Sequence, residues 1–98
     1  MKNSRKVTYF ANHGQAEAIR MLLHHAKVVF IDERLSKEEF TARKSDFPAG
    51  QLPCYTDDQG NIFNQSQAIL RALGIEFGYY PTNDPWQAWA CDWAMDTI

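Results

Sequence analysis

The sequence predicts an α/β fold: a mixed four-stranded sheet with helices on both faces, in the order β-α-β-α-β-β-α, followed by part of a further helix. Three observations carry this. Short β-prone runs alternate with amphipathic stretches in the first half, and a strand-helix-strand unit demands parallel pairing. Two later apolar runs are joined only by Asp57-Asp58-Gln59-Gly60, the spacing of an antiparallel hairpin. The length, 98 residues, leaves room for one domain of this size.

The elements follow in order. Lys6-Val7-Thr8-Tyr9-Phe10 is rich in strand formers and ends at Asn12-His13-Gly14, a turn composition. Ala18, Ile19, Leu22, Leu23 and Ala26 recur at three- and four-residue spacing, which predicts an amphipathic helix over 15–26. Val28-Val29-Phe30-Ile31 is a compact apolar run bounded by Asp32 and Glu33, and predicts a buried strand. Ser36-Lys37-Glu38-Glu39 has the form of a capping box, so a short helix should follow and end before Pro48 and Gly50. Leu52–Thr56 and Asn61–Asn64 are the hairpin strands. Ser66 suits the N-cap of a helix over 67–73, with Gly74 at C′. Asp84-Pro85 pairs an N-cap with proline at the first helical position, and a helix runs on from there. Gly78–Asn83 reads as a linker. The expected division is 1–80 for a thioredoxin-like domain and 81–98 for a linker and the first helix of an incomplete all-α domain.

Composition narrows the function. A net charge of -2 without a basic run argues against an electrostatic binder of nucleic acid or anionic membrane. Cys54 and Cys91 form neither C-x-x-C nor zinc spacing, which argues against a dithiol oxidoreductase. His24 and His25 lack metal-ligand spacing, and no metal is expected. No apolar run approaches the ~20 residues of a membrane span, and the polar start carries no apolar leader core. A cytoplasmic, reducing location is the expectation.

Some residues invite chemistry. Tyr9 closes a strand just before a glycine turn. It reads either as a core aromatic or as a phenol able to donate its O–H to a thiolate. Ser66 stands where a helix begins, so free N–H groups and the positive dipole end favour an anion there, whether or not the hydroxyl also caps. Trp86, Trp89 and Trp93 share one helix face. Core packing is preferred for them over cofactor stacking, and that much aromatic area needs a partner surface.

Five segments in this order and spacing resemble the cytosolic glutathione transferases over nearly the whole chain, most closely the sigma-like members, which include prostaglandin isomerases. They are Val7-Thr8-Tyr9-Phe10 with Gly14-Gln15-Ala16-Glu17 and Ile19-Arg20; Asp32-Glu33-Arg34; Phe40 with Lys44; Gly50-Gln51-Leu52-Pro53; and Asn64-Gln65-Ser66 with Ala68-Ile69-Leu70-Arg71. The resemblance implies a glutathione transferase of the detoxification type with glutathione as co-substrate. It implies that Tyr9 stabilises the thiolate, which attacks an electrophilic small molecule. It implies that Pro53 is cis and that the Leu52 backbone pairs with the cysteinyl part of glutathione, beside Gln51. By the same resemblance Gln65 and Ser66 are expected to take the γ-glutamyl end, with Phe40 and Lys44 at the glycyl carboxylate.

Two residues depart from the family pattern. Phe40 stands where relatives carry Trp and lacks the indole donor, a loss of about 1.5–3 kcal/mol against a charged acceptor. Gln15, a possible supporting residue, stands where many relatives carry Arg. Asp32-Glu33-Arg34 reads as a structural ion-pair segment, and Cys54 as a small buried hydrophobe. Ala49 replaces an interfacial aromatic of several classes, so a homodimer would rest on other contacts. A complementary helical-domain chain is the other expected partner, because the tryptophan face has nothing here to cover it and the chain reads as a fragment, a split half or one piece of a larger assembly. The alternative function is a non-catalytic structural or assembly domain of the same family.

Overall fold

The computed structural model describes residues 4–12 and 14–97; His13 of the expected turn lies outside the described residues. Strand β1 (Arg5–Phe10) leads through a 3-10 turn (Gly14–Ala16) into α1 (Glu17–His25). β2 (Phe30–Leu35) and α2 (Lys37–Arg43) follow, then two 3-10 turns over Lys44–Asp46 and Pro48–Gly50. The hairpin β3 (Cys54–Thr56) and β4 (Ile62–Asn64) precedes α3 (Ser66–Glu76) and α4 (Pro85–Thr97). The sheet order is β2-β1-β3-β4, with β1 and β2 parallel and the other pairs antiparallel. This is the thioredoxin-like layout with one helix added.

Alternation along the strands separates two cores. Val7 and Tyr55 face α1 and α3 and pack with Ile19, Leu23, Ile69 and Leu73. Cys54 and Leu35 face the other way and pack with Phe47, Phe40 and Leu52. At the far end from the glycine turn, Arg5 donates to Tyr55 Oη at 2.7 Å and to the Glu76 carboxylate at 2.6 Å, tying β1 to the end of α3.

Several expectations shift. The second strand begins later than its apolar run and carries Asp32-Glu33-Arg34 within it. It is an outer strand with one neighbour, so Val29, before it, is 85% exposed and Ile31 52%. An apolar run does not by itself distinguish a central strand from an edge. The first helix starts at Glu17, because Gly14–Ala16 forms a 3-10 turn. Ser66 is not the N-cap: Gln65 holds that position at φ 73°, with no side-chain cap bond, and Ser66 is the first helical residue. Gly74 does not end the helix either. It is buried inside α3, where a Cβ would lie 3.1 Å from the Tyr80 Cβ, so its role is close approach. The stop is Gly78 at φ +81°, with the Tyr79 N–H donating to the Gly74 carbonyl at 2.7 Å.

Other features match. The Ser36–Glu39 capping box is complete, with both reciprocal hydrogen bonds. Asp84 Oδ1 accepts from the N–H groups of Trp86 and Gln87. His24 and His25 are exposed and touch the rings of Phe30 and Tyr79. Helix α4 leans on α3 through polar contacts: Arg71 and Tyr80 both donate to Asp92 Oδ1, and Gln67 to the Met95 carbonyl. The core packing preferred for Trp86, Trp89 and Trp93 is not realised. They are 76%, 57% and 57% exposed, because Ala88, Cys91, Asp92 and Met95 form the half-buried side of α4.

The Asp32-Glu33-Arg34 segment is an ion-pair hub. Asp32 accepts from Arg20 and Arg34; Glu33 accepts from Thr8 and Arg43 and has Lys6 3.7 Å away. Burial pushes the Glu33 carboxyl up, but the hydrogen bonds from Arg43 and Thr8 together with the Lys6 charge outweigh it and hold it below its ordinary value. A depressed folded value means that Glu33 stabilises the fold above the unfolded carboxyl pKa of about 4.3 and loses that contribution as pH falls through the folded value. Glu33→Gln should therefore flatten the acid limb of a stability-against-pH curve measured by urea unfolding. An unchanged limb would remove Glu33 from the hub's energetics.

Candidate functional site

The C-terminal end of β1, the start of β3 and the end of β4 meet at one edge of the sheet. A cleft of about 430 Å³ opens there, lined by Phe10, Gln15, Phe40, Gln51, Leu52, Pro53, Gln65 and Ser66. Seven of these are residues singled out by sequence: Gln15, Phe40, Gln51, Leu52, Pro53, Gln65 and Ser66. Residues from four separate parts of the chain thus converge.

Local chemistry shapes each wall. The Leu52–Pro53 peptide bond is cis, as the family pattern implied. Among the described residues no backbone hydrogen bond engages the Leu52 N–H or carbonyl, which leaves both for a ligand backbone. The preceding loop is fixed by Ala49 and Gly50 in the left-handed region, at φ 55° and 60°, and by Asn64 Nδ2 donating to the Pro48 carbonyl at 3.2 Å. Gln65 Nε2 donates to Gln51 Oε1 at 3.0 Å, joining the two polar walls. Gln65 itself sits at φ 73°, ψ 104°, a sparsely populated region for a side-chain-bearing residue that costs on the order of 1–3 kcal/mol. The first N–H groups of α3 have no side-chain cap, so the start of an 11-residue helix offers donors and a positive dipole end to the cleft.

The floor is aromatic. Phe10 meets Phe40 edge-on at 5.3 Å, and Phe40 stacks on Phe47 at 6.1 Å. Phe10 belongs to the first of the five segments but is not among the expected site residues. Its signal was available in its place next to Tyr9 at the strand end, with the opposite facing.

Two expected residues border the cleft without lining it. Lys44 extends over Gly50, where a Cβ would lie 3.0 Å from Lys44 Cε, and it is not among the lining residues. Tyr9 is half-buried, and its ring packs toward the α1–α3 core and meets Phe10 at 5.4 Å. Its phenol oxygen lies 2.5 Å from where a Gly14 Cβ would be, next to Gln15 at the cleft rim, and Tyr9 is not a lining residue. Gly14 is the only residue type that leaves space for the phenol there.

Cys54 donates its thiol to the Gln51 carbonyl at 3.3 Å, and burial pushes the thiol up to about 11. It is a poor nucleophile at neutral pH. Alkylation of the native chain should therefore modify Cys91 well before Cys54, and mass spectrometry of partially labelled protein checks the order. Equal labelling would contradict this burial. Among the described residues no group of three or more His, Cys, Asp or Glu could hold a metal ion, and no helix is long and apolar enough to cross a membrane.

A second groove of about 280 Å³ runs between β4 and α3, from Tyr55 and Phe63 to Ala72 and Glu76. It gathers none of the sequence-predicted ligand residues.

Fold and cleft together define a thioredoxin-like domain with an open cleft beside a cis-proline loop and a helix start. No family model matches the chain. Among curated proteins it is 47% identical over 74 residues to glutathione S-transferase 3 of Caenorhabditis elegans, covering 76% of this chain and 35% of that protein. It is 43% identical over 81 residues to glutathione S-transferase 2 of Onchocerca volvulus, covering 83% and 38%. Among solved structures, a Nu-class transferase of Haemonchus contortus aligns at TM-score 0.86 and 38% identity, over 98% of this chain and 46% of that one. Prostaglandin synthase D of Nilaparvata lugens aligns at 0.85 and 36%, over 96% and 47%. The chain spans under half the length of these relatives. Over the matched stretch it is homologous to these glutathione transferases.

Proposed function

We propose that the chain binds glutathione in the cleft and holds its thiol as a thiolate for attack on an electrophile. The observation that carries this is the convergence of the free Leu52 backbone, the Gln51–Gln65 clamp and the uncapped start of α3 in one cleft. The Leu52 N–H and carbonyl pair with the cysteinyl backbone as an added strand does. The first N–H groups of α3 and Ser66 take the γ-glutamyl carboxylate. Residues 1–80 form the glutathione-binding unit, and 81–98 the linker and first helix of a helical part.

A free thiol of pKa about 8.5 is only a few per cent ionised at neutral pH. In the proposed step the cysteinyl S–H gives up its proton to solvent and the Tyr9 O–H donates to the sulfur anion. The sulfur then forms a bond to the electrophilic carbon, whose leaving group or π-electrons carry off the displaced pair. A glutathione-dependent prostaglandin-type isomerisation is a narrower form of the same reading, supported by the similarity to the Nilaparvata lugens protein. The reading includes a cytoplasmic location. It also includes a homodimer or a helical-domain partner to complete the electrophile site.

Lys44 and Phe40 serve the glycyl end. Phe40 supplies packing and no donor. Phe40→Trp should tighten glutathione binding about tenfold, the effect of one hydrogen bond to a charged acceptor. Isothermal titration of both proteins checks this; equal affinity would place the glycyl carboxylate elsewhere.

A non-catalytic binding domain is the second reading, favoured by the position of Tyr9 outside the cleft lining and by Gln15 in place of Arg. Conjugation of a generic electrophile by parent and Tyr9→Phe, with glutathione affinity measured alongside, separates the two. The transferase reading expects activity to fall far more than affinity. A parent that binds glutathione without any thiolate absorbance belongs to the second reading.

A further inference from the structure

Arg20 on α1 is 3% exposed, an uncommon place for a guanidinium. Its Nε donates to Asp32 Oδ1 on β2 at 2.9 Å. Its Nη1 donates to the Asn12 carbonyl at 2.9 Å and to the Glu17 carboxylate at 3.4 Å. Its central carbon lies 5.9 Å from the Tyr9 ring centroid. Its Nη2 is buried with no hydrogen-bond partner among the described residues.

A buried ion pair is a weak device for stability, since apolar side chains of similar volume fill such a space at less cost. The contacts of Arg20 point to another use. The Asn12 carbonyl belongs to the turn that brings Gly14 against the phenol oxygen, and an aliphatic side chain could not hold it. The cation near the ring adds an attraction that holds the aromatic in place. Asp32 and Glu17 fix the guanidinium itself from β2 and α1.

We propose that Arg20 is the positioning residue of the Tyr9 phenol, holding its ring and the glycine turn that meets its oxygen in one arrangement. This rests on the reading of Tyr9 as the donor to the glutathione thiolate. Arg20 does not itself touch the ligand cleft; it acts through Tyr9.

The test uses the full chain with ring-labelled tyrosine. The sequence holds four tyrosines, and Tyr9→Phe assigns one resonance to Tyr9. Arg20→Met keeps the length of the stem and removes the charge. In the absence of glutathione it should shift and broaden the Tyr9 resonance while those of Tyr55, Tyr79 and Tyr80 stay in place. Arg20→Lys should restore the resonance in part, and Asp32→Asn, which loosens the anchor, should shift it less. With glutathione at saturation, the thiolate difference absorbance at neutral pH should fall about tenfold in Arg20→Met, with affinity changed much less. A Tyr9 resonance unmoved in both Arg20→Met and Asp32→Asn overturns the proposal. So does a common shift of all four tyrosines, which is the mark of a purely structural arginine. If Arg20→Met does not fold, Asp32→Asn decides by the same criteria. The glutathione reading fails separately, when the Tyr9 resonance of the unmodified chain does not respond to glutathione.

Discussion

Leu23→Ala is expected to lower the unfolding free energy by about 2–5 kcal/mol. Leu23 is fully buried in the core that α1 and α3 build on one face of the sheet, among Val7, Ile19, Ile69 and Leu73. Truncation removes transfer energy and leaves a cavity between two helices. Arg20–Asp32 ties α1 to β2 and Arg5–Glu76 ties α3 to β1, which limits how far the helices close on it. A domain of this size holds only about 5–15 kcal/mol in total, so this one change takes a large share. Urea unfolding of the two proteins checks it, with the midpoint moving and the slope unchanged. A loss below about 1 kcal/mol would mean that the helices do close.

Gly14→Ala should have the largest effect on chemistry for the smallest change in volume. Gly14 sits at φ +37°, in the region that favours glycine. An added Cβ would lie 2.5 Å from the Tyr9 phenol oxygen, 2.6 Å from its Cε2 and 2.7 Å from Asn12 Oδ1. The Tyr9 ring cannot swing aside freely, with the Arg20 guanidinium near it and Phe10 edge-on to it. Backbone strain alone costs about 1–3 kcal/mol. The functional consequence is a displaced phenol: glutathione should still bind, through Leu52 and the start of α3, while its thiolate absorbance is lost. Parallel calorimetry and ultraviolet difference spectra decide it. Full thiolate absorbance in the variant would show that the phenol beside Gly14 is not the thiolate donor.

The legible parts of this chain were those written in short-range rules. The capping box at Ser36–Glu39 and the Asp84-Pro85 helix start depend on neighbours within one turn, and both formed as spaced. The cis proline and the gathering of Gln51, Leu52, Gln65 and Ser66 followed from a family pattern. What escaped depended on distant partners. Nothing within Val28–Ile31 says that the strand has a neighbour on one side only. Nothing near Gly74 says that Tyr80 will rest against it, so a packing glycine passed for a helix stop. Ser66 passed for a cap because Gln65 in a left-handed conformation is a rare choice that only the Gln51 contact and the converging cleft walls make intelligible. Arg20 looked like one residue of a motif, and its place beside Tyr9 is set by a helix-to-strand approach that no local rule encodes.

The account turns on the cleft as the glutathione site. Titration of the isotopically labelled chain with glutathione, followed by amide resonances, tests this residue by residue. The predicted result is saturable shifts at Gln51, Leu52, Gln65, Ser66 and Gln67, with the groove between β4 and α3 undisturbed. Absence of shifts at millimolar glutathione, or shifts confined to that other groove from Tyr55 to Glu76, would contradict it.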